Sequence, residues 1–253
     1  MSSALSASPD AAPVQALLFD LDGTLYPKLR LRATMMAELA LLPLRGGGFR
    51  DAWRQWQCIR GFRREREGLR ELGDGCSDLA RRQYELAARR LGVDPGHLAA
   101  LVDTWIHQRP LRHLASVRRP GLPALLARLR ARGLKLGVFS DYPAEAKLAA
   151  MGILEHFDLV LDAEDEEVSA LKPHPKGLLR AAQVWACVPT AVTYVGDRPE
   201  VDAPAAARAG MPCLLIGAGL PPAGASWQAI RSLLEIEQRL DQGPWPERPR
   251  AGS

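Results

Sequence analysis

The stretch Ala16-Leu17-Leu18-Phe19-Asp20-Leu21-Asp22-Gly23-Thr24-Leu25-Tyr26 decides how the rest of the chain is read. An apolar run too short for a helix, ended by a turn-forming Asp-Gly pair, predicts a buried strand that delivers two carboxylates at its carboxyl end. In open α/β sheets ligands bind at that edge. Two aspartates two apart on an extended segment point the same way, and like charges that close resist ionising together. A bound cation and a division of labour would reconcile them, with Asp20 ionised as nucleophile and Asp22 protonated as general acid. The competing reading is a strand end running into a polar turn. The remainder of the chain separates the two.

At 253 residues and 47% hydrophobic composition the chain has ample material for a buried core. Met1 to Pro13 is rich in Ser and Ala, with neither a basic nor an apolar signal region, so no secretory leader is expected. No apolar run approaches the ~18 residues of a membrane span. Cys58, Cys76, Cys187 and Cys213 form no C-x-x-C pair, which argues against a zinc or redox site and makes a reducing cytoplasm the expected location. Charge is uneven: Pro27 to Arg119 carries 19 Lys and Arg against 10 Asp and Glu, and the remainder 14 against 19. That asymmetry suits an anionic ligand or nucleic acid. Yet 28 of the 33 basic residues are Arg, a bias that runs through segments without evident chemistry, so charge alone names no partner.

Between Pro27 and Leu114 the periodicity is helical throughout. Arg32 to Leu42, a segment around Phe49, Trp53, Trp56 and Ile59, Leu79 to Leu91, and a segment around Leu98, Leu101, Val102, Trp105 and Ile106 predict about four helices. Asp94-Pro95 starts the last of them, and Gly46-Gly47-Gly48 and Gly73-Asp74-Gly75 separate others. The Trp and Met residues are expected in the core of this module, without a ligand role. From Leu122 the pattern alternates. Helices over 122–129, 143–151, 176–186 and 204–209 punctuate strands over 134–139, 157–161, 192–195 and 213–216, and a last helix is expected from about Trp227 to Leu240. Strands separated by helices imply right-handed crossovers and a mostly parallel sheet. The expectation is an α/β protein, a Rossmann-like core (13–27 and 115–241) with an all-α insertion (28–114), between disordered tails (1–12 and 242–253).

The strands end in chemically capable residues: Ser140-Asp141 after the second, Lys172-Pro173 after the third, and Gly196-Asp197 with Asp202 after the fourth. In a parallel sheet these ends share one edge with Asp20 and Asp22. Carboxylates crowded there would repel by about 4 kcal/mol per pair at 4 Å and an effective dielectric near 20. A hard cation bound by oxygen ligands relieves this, and Mg²⁺ is usual where phosphate also binds. Ser140 and Lys172 supply the hydrogen bond and positive charge that a transferring phosphoryl group needs. Each residue alone has a bland reading, as turn, loop charge or helix cap; His174, between two prolines, is read as loop.

Asp-x-Asp-Gly-Thr, then Ser, then Lys-Pro, then Gly-Asp-x-x-x-x-Asp, in that order, resembles the four motifs of the haloacid dehalogenase-like hydrolase superfamily from about Val14 to Gly219. The helical insertion after the first motif resembles the cap of its small-metabolite phosphatases. The resemblance implies that Asp20 attacks phosphorus, that Asp22 is general acid and base, and that Ser140 and Lys172 hold the phosphoryl group. It further implies Mg²⁺ on the Asp20 carboxylate, the Asp22 backbone carbonyl and Asp197, with Asp202 in support. Asp141 departs from the commoner Asn. It is expected to cap the helix near Pro143 and to offer its backbone N–H to the substrate. Asp22 argues against dehalogenation, and the lack of Lys between Leu29 and Arg119 argues against Schiff-base chemistry, Lys28 being the one nearby candidate. The expected partner is a small phosphorylated metabolite. A sugar phosphomutase is the alternative. Nucleic-acid binding through the insertion ranks below both, because Arg63-Arg64-Glu65-Arg66-Glu67 reads as a solvated helix face.

Overall fold

The computed structural model describes residues 13–41, 48–71 and 78–242. The expected tails (1–12 and, apart from Gln242, 242–253), the glycine breaks at 46–47 and 73–75, Leu42 and Cys76 lie outside the described residues. Six strands, β1 (Ala16–Phe19), β2 (Lys135–Ser140), β3 (Leu159–Asp162), β4 (Val192–Gly196), β5 (Cys213–Ile216) and β6 (Gln228–Ile230), form one sheet in the order β3-β2-β1-β4-β5-β6. Every pairing is parallel. The chain goes from β1 to one side and later returns to the other, so β1 lies at the switch point where crevices open.

Side chains alternate across a strand, and both faces of this sheet are covered. Leu17 and Phe19 enter one apolar layer with Leu125, Leu126, Leu148 and Ile236, whereas Ala16 and Leu18 enter the other with Leu178, Ala182 and Ala206. Hence β1 reads as continuously apolar instead of alternating. The first layer is closed by α5 (Leu111–Val117), α6 (Leu122–Ala131), α7 (Glu145–Ala150) and α10 (Glu235–Asp241), the second by α8 (Lys176–Val184) and α9 (Asp202–Ala209). Before α5 come α1 (Lys28–Ala40), α2 (Phe49–Gly68), α3 (Leu79–Leu91) and α4 (Pro95–Val102), the last continued by a wider π turn at Asp103–Gln108. These share their own cluster, including Leu39, Phe62, Ala87, Leu98 and Trp105. Asp94 caps α4 by accepting from the His97 N–H at 2.8 Å, with Pro95 in the first turn, as its sequence predicts.

Several expectations are corrected. The segment expected to be helical from Trp227 starts as a strand: Gln228–Ile230 pairs with β5, buries Ile230 and completes the sheet edge, and the helix begins only at Glu235. Phe49 and Trp53 are 78% and 58% exposed and are not core, because α2 turns that side of its first two turns away from its helical neighbours. The helix expected from Pro143 starts at Glu145 with Ala144 as its cap residue and no side-chain cap, so Asp141 does not cap it. α5 runs through residue 114, and its Leu114 packs into the sheet-side cluster.

Candidate active site

The site is built on the loop after β1. The Asp20 N–H donates to Val195 O at 2.8 Å, continuing the ladder one residue beyond the strand. The chain then turns within Leu21–Leu25, closed by Leu25 N–H to Leu21 O at 3.0 Å. Arg119 holds the turn from outside, donating to Thr24 O at 2.7 Å and Gly23 O at 2.8 Å. Gly23 has φ +104°, and a Cβ there would lie 2.1 Å from Asp197 Oδ2 and 2.8 Å from Lys28 Cε. Only glycine lets the loop pass so close to the fourth strand's aspartate.

At the sheet edge Lys172 is completely buried and donates to Asp20 Oδ1 at 2.5 Å, Asp202 Oδ1 at 2.8 Å and the Tyr194 hydroxyl at 2.9 Å. Asp202 also accepts from the Asp197 and Arg198 N–H groups at 3.0 and 2.9 Å. Gly196 makes room for this, since a Cβ on it would meet Asp202 at 2.6 Å. Thr24 donates to the other Asp20 oxygen at 3.0 Å. Carboxylate oxygens of Asp20, Asp197 and Asp202 lie within 4.8 Å of one another. Burial is the largest influence on Asp20; Lys172 pulls against it, Asp202 and Asp197 push with it, and the carboxyl ends up at about 7. Asp197 is likewise raised, by burial first, although Lys28 sits 3.0 Å from both its oxygens. Burial pushes Asp202 up as well, but Lys172 and Arg198 together outweigh it and hold this carboxyl below its ordinary value. Two of the three crowded carboxylates, Asp20 and Asp197, are thus short of positive charge. Their all-oxygen donor set fits a hard divalent cation, which would supply it.

Asp22 stands apart from that cluster. Lys147 of α7 donates to both its oxygens at 2.9 Å, and the Tyr26 hydroxyl donates to Oδ1. Burial pushes this carboxyl up, but Lys147, Tyr26 and Lys28 together hold it below its ordinary value. Asp20 and Asp22 therefore sit in unlike charge environments: Lys172 serves Asp20 jointly with Asp202, whereas Lys147 donates to both oxygens of Asp22.

Ser140 is buried at the end of β2, and its hydroxyl oxygen accepts from the Tyr142 N–H at 3.2 Å. In place of capping a helix, Asp141 accepts from the Lys172 N–H at 3.2 Å and pairs with Arg198 at 2.8 Å and Arg70 at 2.9 Å. Burial is outweighed by these cations, and the Asp141 carboxyl stays well below the usual range. In the arginine-rich run Arg63, Arg64 and Glu67 are exposed as expected and Glu65 is half-buried, but Arg66 is not part of a solvated face. Arg66 is 3% exposed and reaches from α2 to the sheet edge, donating to Asp141 O, to Gln83 at 2.6 Å and to Glu164 at 3.0 Å. Arg70 likewise donates to Lys172 O. α2 is thereby tied to the loops after β2 and β3, and a cavity of about 650 Å³ lies between the helices and the strand ends, lined in part by Asp20, Asp22, Asp141 and Asp197. Lys172, Asp202 and Ser140 sit behind that surface.

Sequence reasoning missed Lys147, Tyr26, Arg70 and Arg198, and considered Lys28 only for another chemistry. Tyr26 had a signal, four residues past Asp22 on the same turn. Lys147 had none, being 125 residues away on a short helix.

Residues 14–210 match the haloacid dehalogenase-like hydrolase family. The chain is 30% identical over 210 residues to a glyceraldehyde 3-phosphate phosphatase of Methanopyrus kandleri, covering 81% of this chain and 85% of that protein. It is 29% identical over 238 residues to a phosphoglycolate phosphatase of Nitrosococcus oceani, covering 90% and 97%. Its fold superposes on a HAD phosphatase from Thermococcus onnurineus with TM-score 0.60 at 24% identity, covering 90% of this chain and 98% of that one. An enzyme of the α/β hydrolytic kind is what the parallel sheet and the acidic cluster at its switch point define. The chain belongs to the haloacid dehalogenase-like hydrolases.

Proposed function

We propose that this hydrolase is a Mg²⁺-dependent phosphatase acting on a small phosphorylated metabolite through an aspartyl-phosphate on Asp20, with the helices over 28–114 acting as a cap. One observation carries the reading: Asp20 opens onto the cavity while Lys172 holds its inner oxygen at 2.5 Å and Asp197 and Asp202 crowd beside it. Such a carboxylate is fixed as a nucleophile, and its neighbours suit a metal-bound phosphate. Asp20, Asp197 and Asp202, with the Asp22 backbone carbonyl, would hold Mg²⁺, which supplies charge stabilisation for the transferring group.

The Asp20 oxygen attacks phosphorus, the bond from phosphorus to the ester oxygen breaks, and Asp22 gives that oxygen a proton. Asp22 then takes a proton from water, whose oxygen attacks phosphorus and releases inorganic phosphate and the Asp20 carboxylate. Lys147 holds Asp22 towards its ionised form. A phosphoryl dianion arriving beside it raises its proton affinity, as any added anion does. Lys172 steadies Asp20 throughout, and Ser140, buried behind the cavity surface, supports the loop after β2 by accepting from the Tyr142 N–H. The buried anchor at Arg66, together with Arg63 and Arg64 on the cavity wall, supports a small anion over nucleic acid as the ligand of the basic segment.

The test is phosphate release from phosphomonoesters with Mg²⁺ by wild type and Asp20→Asn, both freed of contaminating phosphatase. Turnover should fall by several orders of magnitude in the variant, with phosphate appearing in step with substrate loss. Equal activity in the two proteins would overturn the reading, and isomerised sugar phosphate without free phosphate would replace it by a mutase.

A further inference from the structure

The wall of the cavity changes character along its length. One face of α2 runs along it. Towards the catalytic aspartates that face carries Arg63, Arg64 and Glu67, and Arg70 follows the helix. Towards the other end it carries Arg60, Ile59 and Trp56, the last stacked on Trp53 at 4.8 Å between ring centroids. At about 1.5 Å per residue, Glu67 to Trp56 spans about 17 Å. The facing wall is mostly apolar as well, built from Leu31, Met35 and Met36 of α1 and from Trp105 and Ile106 of the π turn, with Arg32 among them. Met36 is half exposed, so this wall reaches the surface.

From this gradient we infer that the substrate is the phosphomonoester of an apolar alcohol or phenol, its phosphate at Asp20 and its hydrocarbon body along Trp56, Met35 and Met36. The inference rests on the phosphatase reading and adds the substrate class. At about 650 Å³ the cavity falls within the roughly 300–1,000 Å³ typical of sites for drug-sized ligands. A two- or three-carbon phosphate would leave its apolar half in contact with water. Stacking of a nucleobase is disfavoured by the surroundings of Trp56. Trp53 stacks on it from the preceding turn at 4.8 Å, and the Arg60 guanidinium lies 5.1 Å from its centroid, so its π surface is already engaged within the protein and the apolar walls suit a hydrocarbon chain.

Burying one methylene fully is worth about fourfold in affinity, and even half that effect compounds along a chain. With the full-length protein and Mg²⁺, kcat/KM should therefore rise at least 30-fold from ethyl to decyl phosphate, and decyl phosphate should exceed phosphoglycolate and adenosine monophosphate. Calorimetry with ethyl- and decylphosphonate should give a Kd at least 30-fold lower for the longer ligand, whether or not turnover is observed. Met36→Lys, at a half-exposed position that tolerates charge, should cut the decyl-to-ethyl ratio at least fivefold, and Trp56→Glu at least tenfold. A flat alkyl series in both kinetics and calorimetry, or a tenfold preference for phosphoglycolate or adenosine monophosphate, overturns the inference and leaves the phosphatase reading standing. If Asp20→Asn removes no activity on any ester, the phosphatase reading fails, and the phosphonate series alone decides whether the cavity prefers an apolar body.

Discussion

Replacing Lys172 with Met removes the one ammonium group shared by Asp20 and Asp202. Its contacts are 2.5 Å to Asp20 and 2.8 Å to Asp202, and all three side chains are buried. At an effective dielectric near 20 each contact represents a gross attraction of about 6–7 kcal/mol. Most of it offsets desolvation, and breaking such a buried pair from one side typically costs about 3–5 kcal/mol. That is a large share of the roughly 5–15 kcal/mol that stabilises a native protein. Met keeps the length and apolar stem of Lys, so the loss is of charge more than of packing.

The effect should depend on pH in a defined direction. Asp20 already sits at about 7 and Asp202 is held low by Lys172. Without the lysine both folded-state values rise above the unfolded value of about 3.9. The folded variant then binds protons that the unfolded chain does not, so its stability increases as pH falls. The deficit relative to wild type should be about 3–5 kcal/mol at pH 8.5 and smaller at pH 6. Urea denaturation of metal-free wild type and Lys172→Met at the two pH values measures this, and added Mg²⁺ should recover part of the loss. Equal midpoints at pH 8.5, or a deficit that grows as pH falls, would refute the reasoning. If the variant folds at pH 6 with Mg²⁺, its kcat should still be lowered substantially, because the lost cation matters more in the transition state than in the ground state.

Gly23→Ala should impair Mg²⁺ binding and turnover more than stability, since the new Cβ would press on Asp197 at 2.1 Å; an unchanged metal titration and kcat would contradict the close approach. Arg66→Met should cost about 2–4 kcal/mol by stranding buried partners, whereas Arg90→Ala, removing a 74% exposed partner of Glu65, should cost at most about 0.5 kcal/mol. Chemical denaturation of the pair compares them directly. Asp162 is raised to about 6, by burial first and then by Asp165, so its ionised form is disfavoured in the fold. Asp162→Asn should therefore stabilise by about 1–2 kcal/mol at pH 8, an advantage that shrinks as pH falls from about 6 to 4 and the wild-type carboxyl takes up its proton; thermal melts across that range check it.

The sheet was legible because parallel strands covered on both faces leave short apolar runs between helices, and five of the six were readable on that basis. β6 was not, since three residues with one buried side chain carry no periodicity of their own and become a strand only by pairing with β5. Along the insertion, 3.6-residue spacing gave the helices but misjudged their outer faces. Phe49 and Trp53 fit the apolar stripe of α2 yet lie exposed, and Arg66 fits a charged face yet is buried. Periodicity says which residues share a side of a helix. What that side meets depends on neighbours distant in sequence.

The sequence by itself determined the chemistry at the strand ends. Asp20, Ser140, Lys172, Asp197 and Asp202 come to one edge because parallel strands all point their carboxyl ends the same way, a consequence of chain connectivity that needs no coordinates. Charge partnership was decided only in three dimensions. Lys147 crosses 125 residues of sequence to hold Asp22, Arg70 and Arg198 converge on Asp141, and Lys28 meets Asp197. A salt bridge acts over a few ångströms, falling off with distance and screened by solvent. Tertiary packing therefore fixes which cation stands beside each aspartate, and sequence spacing carries no record of it.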